Sequence, residues 1–249
     1  MTEMTEMTDL TEIAPSVVAP RGLVRRLGRW FGTLLVVLGV AALAWALVVW
    51  VWQDPFTAIY TRIQQHKLAT SYEHRLERFA VRPLPPTISV VEERRAIEAA
   101  AHRYRLASRP GDALGRIRVP RLGLNMVFVD GTDTDSLKKG PGRDRHTYMP
   151  GEGQLVYIAG HLTTYLAPFS HIDRLRPGDR VTLELPYATF VYQVSGHVIV
   201  PADDIARLNS AGREVLALQA CHPRFFATQR YIVYAKPIRV VPRRGPAYS

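Results

Sequence analysis

The second half of this chain reads as a mostly β domain of about seven or eight short strands, folded as a barrel or a sandwich. Ahead of it stand one long apolar helix and a helical linker. Three observations carry that reading. Val181-Thr182-Leu183-Glu184-Leu185 alternates apolar and polar residues, the period of a half-buried strand. Turn signals punctuate the apolar runs: Asp130-Gly131, Gly140-Pro141-Gly142, Pro150-Gly151 and Arg176-Pro177-Gly178-Asp179. Residues 31–52, by contrast, form one uninterrupted run of 22 uncharged residues.

That run, FGTLLVVLGVAALAWALVVWVW, measures ~33 Å as a helix, enough to cross a hydrocarbon core of about 30 Å. A cleaved signal peptide has a shorter apolar stretch followed by small residues, whereas this one ends in Val48-Val49-Trp50-Val51-Trp52. Trp30, Trp50 and Trp52 suit the two membrane interfaces. Arg21, Arg25, Arg26 and Arg29 precede the span and Asp54 follows it. The positive-inside rule therefore puts the N-terminus in the cytoplasm and residues 54–249 outside. Residues 1–30 are expected as a cytoplasmic tail, disordered over 1–20.

Residues 1–53 carry four arginines and four acids, so the net charge of +10 lies beyond them, as 28 Lys and Arg against 18 Asp and Glu. A basic exported domain favours anionic lipid headgroups or an anionic cell wall. A generally solvated basic surface is an equal reading. No block of Lys and Arg interleaves with aromatics, so nucleic acid is not an expected partner.

From 53 to about 79 the chain has mixed helical spacing, ended by Pro83, Pro85 and Pro86. A second helix is predicted over 91–106, VEERRAIEAAAHRYRL, rich in good helix formers. Residues 53–110 read as a spacer holding the next domain off the bilayer, or else as helices packed on that domain. Strands are predicted at 115–119, 125–130, 154–159, 180–185, 189–200, 215–221 and 230–240. Short helical pieces fit at 133–139, 167–175 and 202–208. The domain is placed at 111–242, with a C-terminal tail at 243–249.

The chemistry centres on the only cysteine, Cys221, which ends one apolar run; Arg230 opens the next. A thiol beside a cation is a plausible nucleophile, because positive charge favours the thiolate. An unpaired thiol in an exported protein is itself worth notice. Cys221 also needs a base. Of eight histidines, His222 adjoins it, but consecutive strand residues point to opposite faces. His161 follows the predicted strand Leu155-Val156-Tyr157-Ile158-Ala159 and a glycine, a strand-end position where catalytic groups often sit. Arg224 is a rival to Arg230. No metal or cofactor is expected: Cys221, His222 and His161 lack a further ligand for a tetrahedral zinc site, and Asp130, Asp133 and Asp135 do not follow calcium-loop spacing.

Two segments carry a resemblance. AGHLTTYLAPFSHIDRLRPGD at 159–179 is similar to the catalytic-histidine segment of sortases, and LALQACHPRFFATQRYIVYA at 216–235 to their cysteine and arginine segment. The order His, Cys, Arg matches, as does the separation of 60 residues between His161 and Cys221. The resemblance covers roughly 113–240 and is strongest to the class E sortases of high-GC Gram-positive bacteria. It implies a closed β-barrel of sortase type and a membrane-anchored cysteine transpeptidase. Cys221 would attack a sorting signal of LAxTG or LPxTG type. The resulting thioester would pass to a peptidoglycan amine. His161 would serve as general acid and base, and Arg230 would hold the substrate and its oxyanion. Thr163, Thr164, Tyr165 and Ala220 would line the peptide groove. The expected partners are surface proteins with C-terminal sorting signals, a peptidoglycan precursor amine and the lipid membrane.

This chain departs from the pattern in places. The family usually has threonine just before the cysteine, where Ala220 stands, and class E members often carry Arg and Gly where Leu162 and Leu166 stand. L,D-transpeptidases use an SHGC-like motif absent here, and NlpC/P60 peptidases place cysteine before histidine. From a different class, a membrane-anchored binding module that has lost catalysis is the alternative, motivated by Ala217 and Ala220.

Overall fold

The computed structural model describes residues 21–52, 55–81, 83, 85, 87–244, 247 and 248. The expectations for residues 1–20 and for Asp54 lie outside these. Two units are described separately, one up to Val51 and one from Trp52 onward. Helix α1, Arg21–Trp52, makes up the described part of the first. Within it Arg25–Val48 is long and apolar enough to cross a membrane, with a mean hydropathy of 2.4 and none of it buried.

The second unit is a closed barrel of eight strands. In chain order they are β1 (Ala113–Val119), β2 (Leu124–Asp130), β3 (Gly142–Arg143), β4 (Leu155–Ala159), β5 (Arg180–Glu184), β6 (Ala188–Pro201), β7 (Val215–His222) and β8 (Gln229–Pro242). Around the barrel they run β1-β2-β3-β4-β7-β8-β6-β5, and β5 closes on β1. Of the barrel and sandwich left open by the strand pattern, the barrel forms, as the resemblance implied. Two neighbouring pairs are parallel, β2 with β3 and β4 with β7; the others are antiparallel.

The strand β3 was not expected, because Gly140-Pro141-Gly142 reads as a turn. A Cβ at position 142 would lie 2.0 Å from the carbonyl oxygen of Gly131. The glycine admits a backbone approach no other residue permits, and two residues of ladder follow. In the predicted helical piece 167–175 only Ile172–Arg174 forms a turn of 3-10 helix. Left-handed backbone at Tyr165, Leu166 and Ala167 breaks any helix there, and Pro168 supplies no N–H.

Helix α2 (Pro55–Arg78) and helix α3 (Val90–Ala107) lie on the barrel. Ser89 caps α3 with a reciprocal Ser89–Glu92 capping box. From α3, Ile97, Ala100, Ala101 and Tyr104 enter the barrel's core cluster, the i, i+3, i+4, i+7 stripe of a helix on a core. From α2, the Thr61 hydroxyl donates to the Lys138 carbonyl, Gln65 Nε2 to those of Val127 and Lys139, and the Tyr72 hydroxyl to that of Glu184. Leu68 and Tyr72 pack on Val127 and Val129. Of the two readings of 53–110, these contacts describe helices packed on the domain.

Candidate active site

Strand register places the first two groups. In the β7–β8 pair Cys221 stands directly opposite Arg230, a spacing that brings Cβ atoms within about 4.5–5.5 Å. Alternation sorts their neighbours. Leu216, Leu218 and Ala220 point into the barrel core, while Ala217 joins an outer cluster with Leu155, Tyr157, Val200 and Ile232. Cys221 and Arg230 share the outer parity, and both are half-buried. His222 has the opposite parity, and its ring lies 5.9 Å from that of Tyr231. The argument against His222 as the base therefore holds as far as β7 continues, which is to His222 itself.

His161 comes from the parallel neighbour. The β4–β7 ladder pairs Leu155 with Val215 through Ala159 with Gln219, a constant offset. The Gly160 amide still donates to the Gln219 carbonyl at 3.0 Å. His161 is the next residue after that last ladder contact, at the strand end where β7 carries Cys221. Gly160 is required at this exit: a Cβ there would lie 2.6 Å from Phe169 Cδ2. The three groups predicted from the sequence thus arise at one end of the barrel, where β4 and β7 finish and β8 begins.

The His161 ring is half-buried and tilts against Tyr165, centroids 5.1 Å apart. Its Nε2 is buried without a hydrogen-bond partner. Burial lowers its pKa from the usual 6.5, so the neutral imidazole is favoured. The backbone that follows is unusual. Tyr165, Leu166 and Ala167 all have positive φ, at 54°, 61° and 38°, a region costing roughly 1–2 kcal/mol for a residue with a Cβ. Leu166 occupies the position where class E sortases often carry glycine. The departure noted in the sequence is a backbone departure too.

The loop is held from two sides. Leu162 and Leu166 pack on the barrel core. The Tyr165 amide donates to Thr57 Oγ1 of α2 at 3.0 Å, and the Tyr165 ring meets Tyr60 edge-on at 6.3 Å. Sequence reasoning missed Thr57 and Tyr60, and nothing local in 53–79 marks them. Thr163, Thr164 and Tyr165 line this loop, half-buried. Ala220 has no exposed surface and sits among core residues. Its methyl supports the site from inside the barrel and does not line an open groove.

Arg230 donates from Nη1 to the carbonyls of Ala227 at 2.8 Å and Gln229 at 3.0 Å. The guanidinium thereby braces the β7–β8 loop while facing Cys221 in register. Arg224, its rival, lies over the Phe225 ring at 5.7 Å instead. Elsewhere, His102 pairs with Glu152, His146 with Asp144, and His197 stacks on Tyr231.

His161, Cys221 and Arg230 all fall within residues 117–238, which match the sequence model of the sortase domain. That stretch is a sortase domain. Sortases are cysteine transpeptidases. The sortase domain is 33% identical over 132 residues to sortase D of Bacillus subtilis, an alignment covering 51% of this chain and 65% of that protein. It is 26% identical over 152 residues to sortase SrtE1 of Streptomyces coelicolor, covering 54% and 43%. The chain thus spans less than two thirds of the length of each of these relatives. In fold it is similar to the Clostridium perfringens sortase D5 transpeptidase, with a TM-score of 0.55 at 24% identity over 70% of this chain and 98% of that one.

Proposed function

We propose that this chain is a membrane-anchored sortase that cleaves a C-terminal sorting signal of LAxTG or LPxTG type and transfers the protein to a peptidoglycan amine. The observation that carries the reading is the register: Cys221 opposite Arg230, with His161 two positions past the paralleled end of β4.

Neutral His161, favoured by its buried site, takes the Sγ proton of Cys221. The thiolate attacks the Thr–Gly carbonyl carbon, and the carbonyl electrons move to oxygen. Arg230, always protonated and with several donors, stabilises that oxyanion once substrate displaces its loop-carbonyl contacts. Imidazolium His161 returns the proton to the glycine nitrogen as the C–N bond breaks. The thioester that remains is attacked by the acceptor amine. His161 takes the amine's proton and delivers it to the departing Cys221 sulfur. Thr163, Thr164 and Tyr165 are positioned to flank the bound peptide. The helix Arg25–Val48 anchors the enzyme, with the N-terminus cytoplasmic and the barrel outside, following the arginines before the span.

The test uses the full chain in detergent with LAxTG and LPxTG peptides, read by mass spectrometry. Cleavage and a peptide–enzyme thioester are expected, with both lost in Cys221→Ala. The Cys221→Ala variant should melt like wild type. A protein that cleaves neither peptide and forms no adduct is instead the catalytically impaired binding module.

A further inference from the structure

Helix α2 reaches the active end of the barrel along a polar stripe. Thr57, Thr61 and Gln65 follow one another at intervals of four, so they share one face of the helix. Thr61 is fully buried, and its hydroxyl donates to the Lys138 carbonyl at 2.9 Å. Gln65 is bonded on both of its polar atoms. Its Nε2 donates to the Val127 and Lys139 carbonyls at 2.8 and 2.7 Å, and its Oε1 accepts from the Val127 amide at 2.8 Å. These partners are backbone groups of the barrel, and a slip of the helix would leave them unpaired. With Thr61 and Gln65 fixed, Thr57 is delivered to the loop after His161. There its Oγ1 accepts from the Tyr165 amide at 3.0 Å.

The conformation held there is one that residues with a Cβ disfavour. Tyr165 begins three successive residues of positive φ. In that conformation its ring lies against the His161 ring, with centroids 5.1 Å apart and planes 37° from parallel. It also meets Tyr60, one turn along α2 from Thr57, edge-on at 6.3 Å and 74°. Tyr165 thus touches α2 twice, through its amide and through its ring, and touches the imidazole once. The imidazole depends on such support. Its χ2 is a broad torsion, and its buried Nε2 has no hydrogen-bond partner, so ring packing is what restrains it.

We infer that Thr57 and Tyr60 are positioning residues for the transpeptidation: through Tyr165 they fix the His161 imidazole in the orientation that serves Cys221. This rests on the proposed roles of His161 and Cys221. It gives α2 a part in catalysis beyond its packing on the barrel.

The test uses the full chain in detergent and Thr57→Val, which keeps the size of the side chain and removes the acceptor of the Tyr165 amide. Three readouts are taken together: kcat and KM for sorting-signal peptide, thermal melting, and NMR of protein labelled at histidine Cε1. The His161 signal is assigned by its absence in His161→Ala. Misplacing a catalytic group slows the chemical step, so kcat should fall about 10- to 100-fold with KM little changed. The His161 signal should move as the Tyr165 ring leaves it. Thr57→Ser, which restores the hydroxyl, should recover both the rate and the signal. Tyr60→Ala, at an exposed position, should move the same signal with a smaller loss in kcat, and it decides the matter if Thr57→Val melts too early to assay. Positioning is overturned if Thr57→Val keeps its rate and its His161 signal, or if Thr57→Ser loses as much as Thr57→Val. A loss confined to KM overturns it too, and makes Thr57 a contributor to peptide binding. Should the wild type cleave no peptide, the proposed function fails, and the NMR signal still decides separately whether α2 orients the imidazole: a shift in Thr57→Val that Thr57→Ser reverses supports it, and an unmoved signal sinks it.

Discussion

The parallel strands β4 and β7 have two ends, built on opposite rules. Where they begin, polar groups are buried in pairs. Glu214, just before β7, accepts from the Tyr192 hydroxyl at 2.6 Å and from the amides of Gly151 and Gly153. Beside it Glu152 accepts from Arg105 and from the Met149 amide, and the Tyr187 hydroxyl donates to the Pro150 carbonyl. Where the strands finish stand His161 and Cys221. Of the four buried side-chain atoms without a hydrogen-bond partner among the described residues, His161 Nε2 and Arg224 Nε belong to this end. The five left-handed residues other than glycine among those described, 165, 166, 167, 225 and 227, all lie in its two loops. One end is arranged for stability. The other is left unsatisfied and strained, as a site is when its partner groups arrive with substrate.

If that division is real, stability and activity separate by mutation. His161→Ala has the largest expected effect: a loss of about 10³-fold or more in peptide cleavage, from removal of the proton carrier. Its melting temperature should hold or rise, since an orphaned buried nitrogen goes with it. The folded pKa of His161 is lowered, so its contribution to stability is complete above about pH 6.5 and is lost as pH falls below that. His161→Ala should flatten this acid-side slope in a pH series of melts.

Glu214→Ala is the mirror experiment. It strands the Tyr192 hydroxyl and the Gly151 amide, at a cost of about 2–3 kcal/mol by urea denaturation, with cleavage per folded molecule unchanged. Burial raises the Glu214 pKa above 4.5, so its contribution is greatest below that value and declines as pH rises through the folded pKa. Glu214→Gln should remove that decline. A Glu214 variant that stays stable but loses activity would collapse the distinction between the ends.

Arg230→Lys should have a smaller effect, about 10- to 100-fold in kcat/KM, or roughly 1.4–2.7 kcal/mol. The charge stays, but the planar guanidinium, with donors left over from Nη1 to meet an oxyanion, does not. An equal loss from Arg224→Lys would reopen the choice between the two arginines.

Much of this contrast is legible in the sequence because it is local. Alternation and turn residues mark seven of the strands, and the eight residues between Cys221 and Arg230 suit a short hairpin. The offset of 60 from His161 to Cys221 reappears as the constant register of β4 on β7. The illegible parts depend on distant chain. Nothing near Thr57 states that its hydroxyl meets the Tyr165 amide, 108 positions away. Nor does any residue preference mark Tyr165, Leu166 and Ala167 as left-handed. Only tertiary contacts enforce that conformation, and only the glycine that class E relatives often carry at position 166 hints at it.

Strain at the open end is therefore the part of the contrast most in need of a direct measurement, and Ala227 offers the cleanest one. It is exposed, with φ at 55°, so replacing it with glycine changes the backbone's freedom and little packing. Left-handed alanine costs roughly 1–2 kcal/mol, and glycine gives back about 0.4–1 kcal/mol through its freer unfolded chain. Ala227→Gly should therefore stabilise the protein by about 0.5–1 kcal/mol, read as a higher urea midpoint with an unchanged slope. Because the Ala227 carbonyl accepts from Arg230, the freed loop should also hold the guanidinium less firmly and slow cleavage a few-fold. A gain in stability paired with a loss in rate would show that the strain is kept for the reaction. A gain in both would make it a cost the fold has simply tolerated.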